Sequence, residues 1–253
     1  MRTAIVIPAR YNSTRLPAKP LLKSTGKYLV QHVYERACQS KRARYVIIAT
    51  DDPRIAAAAE SFGGNCVMTR SDHKSGTDRV AEVALDLDVD LIVNLQGDEP
   101  EVDPAALDLL PDLLERDPES NVATLAVPIS DYNEWASPNC VKVVCDRMGR
   151  ALYFSRMPIP FLREGKPNFH ARPARFLRHL GLYAYRREFL LQLARVPPYH
   201  LEQSEKLEQL RWLAEGCRIQ VGLVDYAACG VDTLEEYEAF VRRSRSRHAA
   251  LAA

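Results

Sequence analysis

The chain has 253 residues, 47% of them hydrophobic and 26% charged, enough apolar material for a sizeable core in one large or two unequal parts. Its 34 Lys plus Arg nearly balance its 33 Asp plus Glu, so global charge offers no attraction to nucleic acid or to a membrane surface, and any anion site must be local. The first apolar run is too short for a signal-peptide core and no stretch reaches membrane-spanning length, which predicts a cytoplasmic protein without membrane insertion. Cys38, Cys66, Cys140, Cys145, Cys217 and Cys229 lack a CxxC pair or a zinc-like rhythm, so they read as buried free thiols rather than bridges or metal ligands.

Ala4-Ile5-Val6-Ile7 reads as a buried parallel strand stopped by Pro8. The loop that follows, up to Pro20, carries Arg10, Arg15 and Lys19 without a carboxylate, and Pro8, Pro17 and Pro20 restrict its backbone. Cations held ready at the carboxyl end of a first strand point to an anion site, because open α/β sheets bind ligands there. A solvated basic loop is the alternative, disfavoured because surface loops usually mix both charge signs. The loop is neither a Walker A motif nor a GxGxxG fingerprint.

Leu29, Val30, Val33, Tyr34 and Ala37 then recur at helical spacing, and Tyr45 to Thr50 is a second buried strand. Asp51-Asp52-Pro53 opens a helix that Gly63-Gly64 closes. Cys66 to Thr69 is a third strand, Thr69 to Thr77 a polar loop, Asp78 to Leu87 a helix and Leu91 to Leu95 a fourth strand. Strands alternating with helices predict a doubly wound, mostly parallel α/β sheet. After about Pro118 the pattern changes. Val122 to Ile129, Cys140 to Cys145 and Ala151 to Phe154 read as strands, the last two as a hairpin, giving a smaller antiparallel subdomain. Met157 to Arg175 is broken by prolines into an irregular segment, a candidate for a mobile flap or a subunit contact. With the hairpin it crowds Leu152, Phe154, Met157, Ile159, Phe161 and Leu162 into a candidate dimer contact, the alternative being that a monomer buries them internally. Leu180 to Tyr185 is a strand, Leu201 to Glu215 a helix and Arg218 to Val224 a late strand. Thr233 caps a final helix, and the basic tail after Arg242 is expected to fray. The expected organisation is one structural domain: a nucleotide-binding part (1–118), a substrate and dimerisation subdomain (119–200) and a C-terminal part returning to the main sheet (201–253).

Asn94 to Pro100, NLQGDEP, falls at the same sheet edge as the cationic loop. Gly97 permits close backbone approach and Asp98 presents a carboxylate there. A hard oxygen ligand beside an anion-binding loop suggests Mg²⁺ shared with phosphates, although Asp98 or Glu99 could instead cap the next helix. Asp103-Pro104 already supplies that cap, which favours the metal for Asp98 and leaves Glu99 open. Asp232, before the last helix, either assists its N-cap or meets Asp98 across one phosphate, as metal-assisted phosphoryl or nucleotidyl transfer requires.

Taken in order, IPARYNSTRLPAKP, ATDD, MTRSDHKSGTDR, NLQGDEP, ALYFSRMPIP, RHLGLYAY, LEQLR and GVDT closely resemble the 3-deoxy-manno-octulosonate (Kdo) cytidylyltransferases, from Ala4 to about Phe240. The resemblance implies the Rossmann-like sheet of nucleotide-diphospho-sugar transferases and a Mg²⁺-dependent cytoplasmic homodimer. The implied reaction joins CTP and Kdo into CMP-Kdo and pyrophosphate for lipopolysaccharide synthesis. It implies a triphosphate clamp of Arg10, Arg15 and Lys19, with Pro8 and Ala9 near the base. Arg70, Ser71, Asp72, His73, Ser75 and Gly76 would read cytosine, and Asp98 and Asp232 would hold the metal. Gln96, Arg156, His179, Tyr183 and Glu208 would face the sugar, with Arg156 for its carboxylate and Arg178 as runner-up. Outside that context His179 reads as a packing histidine, and Glu205 or Glu208 as a solvated helix face. Another sugar acid, such as 8-amino-Kdo or a sialic acid, and a non-catalytic nucleotide-binding module are the competing readings.

Overall fold

The computed structural model describes residues 1–12, 15–225 and 228–251; Ser13 and Thr14 of the cationic loop, and the last two residues of the tail, lie outside the described residues. The chain divides into two compact units. One comprises Arg2–Asp108 with Ala228–Ala253, the other Met1 with Leu109–Ala227. This differs from the expected organisation: residues 201–227 belong with the middle of the chain, and only the segment after them joins the N-terminal unit.

In the N-terminal unit, strands β1 (Thr3–Ala9), β2 (Ala43–Thr50), β3 (Cys66–Met68) and β4 (Leu91–Asn94) form a parallel array in the order β3-β2-β1-β4. Their near-continuous apolar sequences follow from burial on both faces: Ile5, Ile7, Ile48, Leu91 and Ile92 are buried. Pro8 does not stop β1. Pairing to β4 ends at Val6, whereas pairing to β2 continues through Pro8 and Ala9, so proline sits where one side of the strand has no ladder to satisfy.

Helix α1 (Leu29–Ala37) buries Leu29, Val30, Val33 and Ala37, the periodic positions. Helix α2 (Pro53–Ser61) starts at the Asp52 cap, whose side chain accepts from Arg54 N. Helix α3 (Gly76–Leu85) begins two residues earlier than its apolar periodicity indicates, because Ser75 and Asp78 form a reciprocal capping box. Helix α4 (Pro104–Arg116) contains the unit boundary, and Asp103 Oδ1 accepts from Ala105 N at its start.

In the other unit β5 (Val122–Pro128) runs antiparallel to β8 (Leu177–Arg186) and parallel to β9 (Ile219–Leu223). Strands β6 (Lys142–Cys145) and β7 (Ala151–Ser155) form the expected hairpin, and β6 also pairs with β8. Short helices α5 (Tyr132–Ala136) and α6 (Arg187–Leu193) join the elements legible in the sequence. The expected helix over Leu201 to Glu215 is two, α7 (His200–Glu205) and α8 (Gln209–Ala214), broken where Lys206 turns left-handed at φ 53°. Trp135, Ile129 and Phe176 pack together with Leu162 and Phe169 against them.

Helix α9 (Leu234–Leu251) completes the N-terminal unit. Tyr237, Phe240 and Val241 close over Leu16, Leu29 and Val231. Its basic end does not fray after Arg242. Arg243 Nε donates to Glu101 Oε2 at 2.8 Å and Arg247 pairs with the same buried carboxylate, which holds the last turns on the body of the unit.

Candidate active site

The carboxyl ends of β1 and β4 meet at Gly97. A Cβ there would lie 2.9 Å from the carbonyl oxygen of Pro8, so only glycine lets these two loops approach so closely. Between them opens a cleft of about 250 Å³, lined by Pro8, Ala9, Arg10, Asn12, Lys19, Pro20, Lys74, Ser75, Gly76, Gln96, Gly97 and Asp98. Motifs far apart in sequence, the cationic loop, the polar loop and NLQGDEP, thus line one cavity. Asn12, Pro20 and Lys74 are the members that motif reading missed; Lys74 carried the signal, standing inside the quoted DHKSG.

Lys19 lies in a short 3₁₀ turn, Lys19–Leu21, whose preceding residue Ala18 is left-handed at φ 54°. Its ammonium donates to Asp98 Oδ2 at 2.6 Å and to Asp232 Oδ1 at 3.0 Å. Arg15 Nη2 stands 3.1 Å from the other oxygen of Asp232. Burial opposes the Lys19 charge, but the Asp98 and Asp232 carboxylates outweigh it and raise the lysine above its usual value. Asp98 and Asp232 are themselves joined through the backbone, since Val231 N donates to Asp98 O at 2.8 Å. Neither aspartate is needed as a simple cap: Asp103 serves α4, and Thr233 with Glu236 forms a capping box at α9.

Two carboxylates converging on one cationic centre suit Mg²⁺, which takes one or two protein carboxylates and completes its octahedron with substrate oxygens and water. Among the described residues no group of three or more His, Cys, Asp or Glu side chains is arranged to hold a metal, so this pair is the candidate.

Arg10 departs from a purely phosphate-facing role. Its Nη2 donates to His73 O at 2.9 Å and Ser75 O at 2.6 Å, and Nη1 to Lys74 O at 3.3 Å, which ties the first loop to the polar loop. Burial lowers its pKa from the usual arginine value, and nearby Arg79 adds to this. Behind the polar loop, His73 Nε2 bonds Glu82 and Arg70 N donates to Glu82 Oε2 at 3.1 Å. Fully buried Arg79 reaches Asp51 at 3.2 Å and bonds Thr69. Arg70, Ser71 and Asp72 project to solvent at the tip, while Ser75 and Gly76 face the cleft. Glu82 and Arg79 shape the loop without being legible as site residues, because an isolated charge on a helix reads as a solvated face.

Gln96 lines the cleft and donates to Asn94 Oδ1 at 3.1 Å. The other residues assigned to the sugar lie in the second unit. Arg156 Nε donates to Glu205 O at 2.6 Å and Nη1 to Pro138 O at 3.0 Å, with Lys206 O 3.5 Å from Nη2. Glu205 is no solvated helix face: it accepts from Ser155 Oγ at 2.6 Å and from Arg156 N at 2.9 Å. Buried Lys142, also missed, donates to the carbonyls of Ser137, Cys140 and Arg156. Arg178 pairs with Glu134 at 3.1 Å, so it already has an acidic partner.

His179 Nε2 lies 2.9 Å from Thr124 Oγ1, whose own proton goes to a strand carbonyl, Leu182 O at 2.8 Å. The imidazole therefore donates from Nε2, and burial pushes its pKa down to about 3, keeping it neutral. Its ring packs on Phe154 and Tyr183 at 4.9 and 5.4 Å. Tyr183 in turn contacts Trp212, and burial, reinforced by Glu208, holds its hydroxyl protonated. Glu208 accepts from Arg211 Nη2 at 3.0 Å. His179 and Tyr183 thus pack ring against ring, Glu208 adds its charge to the surroundings of Tyr183, and Arg156 is anchored on Glu205 at the end of α7.

The sequence matches the cytidylyltransferase family over residues 4–219. A 3-deoxy-manno-octulosonate cytidylyltransferase of Rhodopirellula baltica is 49% identical, covering 98% of this chain and 100% of that one. One from Syntrophobacter fumaroxidans is 50% identical over 95% and 96% of the two chains. The solved structure of CMP:2-keto-3-deoxy-manno-octonic acid synthetase complexed with CTP superposes with a TM-score of 0.91 at 45% identity, over 98% of this chain and 100% of the other. With its cationic strand-end loop, paired aspartates and full-length kinship, this chain belongs to the 3-deoxy-manno-octulosonate cytidylyltransferase family.

Proposed function

We propose that the protein joins CTP to Kdo, releasing pyrophosphate and forming CMP-Kdo, the activated sugar for lipopolysaccharide synthesis. The observation that carries this reading is the kinship at nearly full length with enzymes of that activity, one of them holding CTP. The cleft supports it: cations for a triphosphate, a polar loop for a base edge and Asp98 line one cavity, and Lys19 links Asp98 to Asp232, the second carboxylate for a metal.

In this reading Arg15 and Lys19 bind the triphosphate. Arg10 braces the loop of Arg70, Ser71, Asp72, His73, Ser75 and Gly76 that reads cytosine, and Pro8 and Ala9 floor the base. Of the groups assigned to the sugar, Gln96 belongs to the N-terminal unit; Arg156, His179, Tyr183 and Glu208 belong to the other, where the neutral His179 and the protonated Tyr183 are hydrogen-bond partners for hydroxyls. The anomeric hydroxyl oxygen attacks the α-phosphorus in line. The bond from that phosphorus to the pyrophosphate oxygen breaks, and the hydroxyl proton passes to water. Asp98 and Asp232 would hold Mg²⁺, which when bound neutralises phosphate charge and acidifies the attacking hydroxyl. Use of CTP as a substrate fits a cytoplasmic enzyme. No helix of the described residues is long and apolar enough to cross a membrane.

We also propose a homodimer. Phe161 is 83% exposed, Met157 68% and Leu152 62%, an apolar surface on the β7 hairpin and the segment after it, whereas Phe154 is buried and Leu162 packs near Trp135. A monomeric mass in sedimentation at micromolar concentration would overturn the dimer. The function itself is tested by pyrophosphate release from CTP and Mg²⁺ with a panel of sugar acids. Kdo is expected to be the preferred acceptor; release with another sugar acid alone, or none at all, would reject the reading.

A further inference from the structure

Lys19 occupies the point where the two aspartates would grip a divalent ion. Its ammonium lies 2.6 Å from Asp98 and 3.0 Å from Asp232, while Arg15 covers the remaining oxygen of Asp232 at 3.1 Å. It is not a wandering surface lysine: its side chain is only 13% exposed. Left-handed Ala18 just before it adopts a conformation that L side chains take only under restraint. Without a cation between them, two carboxylates this close repel. An ammonium and a divalent ion cannot both sit on the same oxygens, because like charges at contact distance in a partly dry cleft oppose each other strongly. A triphosphate offers the lysine an equivalent anionic partner.

We propose that Lys19 is an internal cation that holds Asp98 and Asp232 together in the free enzyme and excludes the divalent ion until the triphosphate draws the lysine away. The proposal rests on reading the cleft as a nucleotidyl-transfer site. It makes metal and nucleotide binding coupled, and by linkage the coupling is reciprocal: whatever removes the ammonium from the carboxylates favours the metal. The free enzyme should therefore bind a divalent ion poorly, and CTP should enter first or together with its metal.

The test is Mn²⁺ binding to the full chain without nucleotide, followed by electron paramagnetic resonance or calorimetry. Lys19→Met is expected to bind Mn²⁺ about tenfold or more tighter than wild type, since a repelling charge has gone. Lys19→Arg, which keeps the charge, should bind as weakly as wild type. Adding Asp98→Asn to Lys19→Met should abolish the gain. Equal affinity in wild type and Lys19→Met, or a gain that survives Asp98→Asn, would overturn the proposal. If circular dichroism shows Lys19→Met to be misfolded, Lys19→Gln carries the same comparison. Pyrophosphate release by wild type is measured alongside. Release combined with an unchanged Mn²⁺ affinity rejects the lysine's role alone, whereas absence of release with every sugar acid rejects the nucleotidyl-transfer reading.

Discussion

In the N-terminal unit the candidate site is held by charges that pair with one another: Lys19 with Asp98 and Asp232, and Arg15 with Asp232. In the other unit the groups assigned to the sugar are tied to backbone and rings. Arg156 grips the carbonyls of Pro138 and Glu205, His179 leans on Thr124, and Tyr183 packs against Trp212. Ion pairs in a partly solvated cleft exchange partners at little net cost, because water and ligand charges replace what is lost. Pulling a guanidinium from the several carbonyls it bridges strands polar groups, and costs more where they are part-buried, as at Glu205. The first arrangement is suited to swapping counter-ions as substrate arrives, and the second to holding a fixed shape for a sugar.

The sharpest way to break this contrast is Asp98→Asn. It removes an exchangeable charge without disturbing the core, so pyrophosphate release should fall by about 10²–10³-fold while the urea unfolding midpoint stays at the wild-type value. Near-normal turnover in a folded variant would remove Asp98 from the metal site.

Arg156→Lys tests the rigid side. It keeps the charge but loses the planar fork, so kcat/KM for Kdo should drop by about 10–100-fold with the calorimetric Kd for CTP nearly unchanged. Equal efficiency with Kdo would move the sugar carboxylate elsewhere, to be sought by substituting Arg178. Arg15→Ala should weaken CTP binding by about 1.5 kcal/mol, roughly tenfold, the low end for a charge-assisted contact. The reason is that this guanidinium is 66% exposed. Unchanged CTP affinity by calorimetry would take Arg15 out of the clamp.

A further effect is on stability against pH. His179 is held neutral with a pKa of about 3, below the ordinary value of 6.5, so the unfolded chain takes up a proton first as pH falls. Its contribution is complete above pH 6.5 and is lost progressively down to pH 3, with a slope of at most about 1.4 kcal/mol per pH unit. His179→Gln, which keeps a donor for Thr124, should flatten the fall in urea midpoint between pH 7 and 5. An unchanged slope would show that other groups set it.

Much of the scaffold was legible in the chain. Helix α1 begins and ends where its apolar spacing says, because one face must be buried and the period of a helix is fixed. Boundaries failed where a local interaction overrode periodicity: the Ser75–Asp78 box moved the start of α3, which also ends two residues early, back by two residues, left-handed Lys206 split α7 from α8, and one-sided pairing let β1 run through Pro8. The basic tail stayed helical because Glu101, far away in sequence, supplies the charge that Arg243 and Arg247 need.

The sequence by itself determined the parallel α/β pattern of the first hundred residues, the hairpin at the Asp146–Gly149 turn and the motifs that carry the family likeness. These depend on residue type and short-range spacing, which a linear chain displays directly. Only the tertiary structure decided that Lys19 lies between Asp98 and Asp232, that Arg10 braces the carbonyls of residues 73–75, and that Glu205 fastens Ser155 and Arg156. Those contacts join residues tens to hundreds of positions apart, and a charged side chain reads the same whether it will meet water, a substrate or a partner carboxylate. Which of these it meets is settled by the fold that brings the strand ends together.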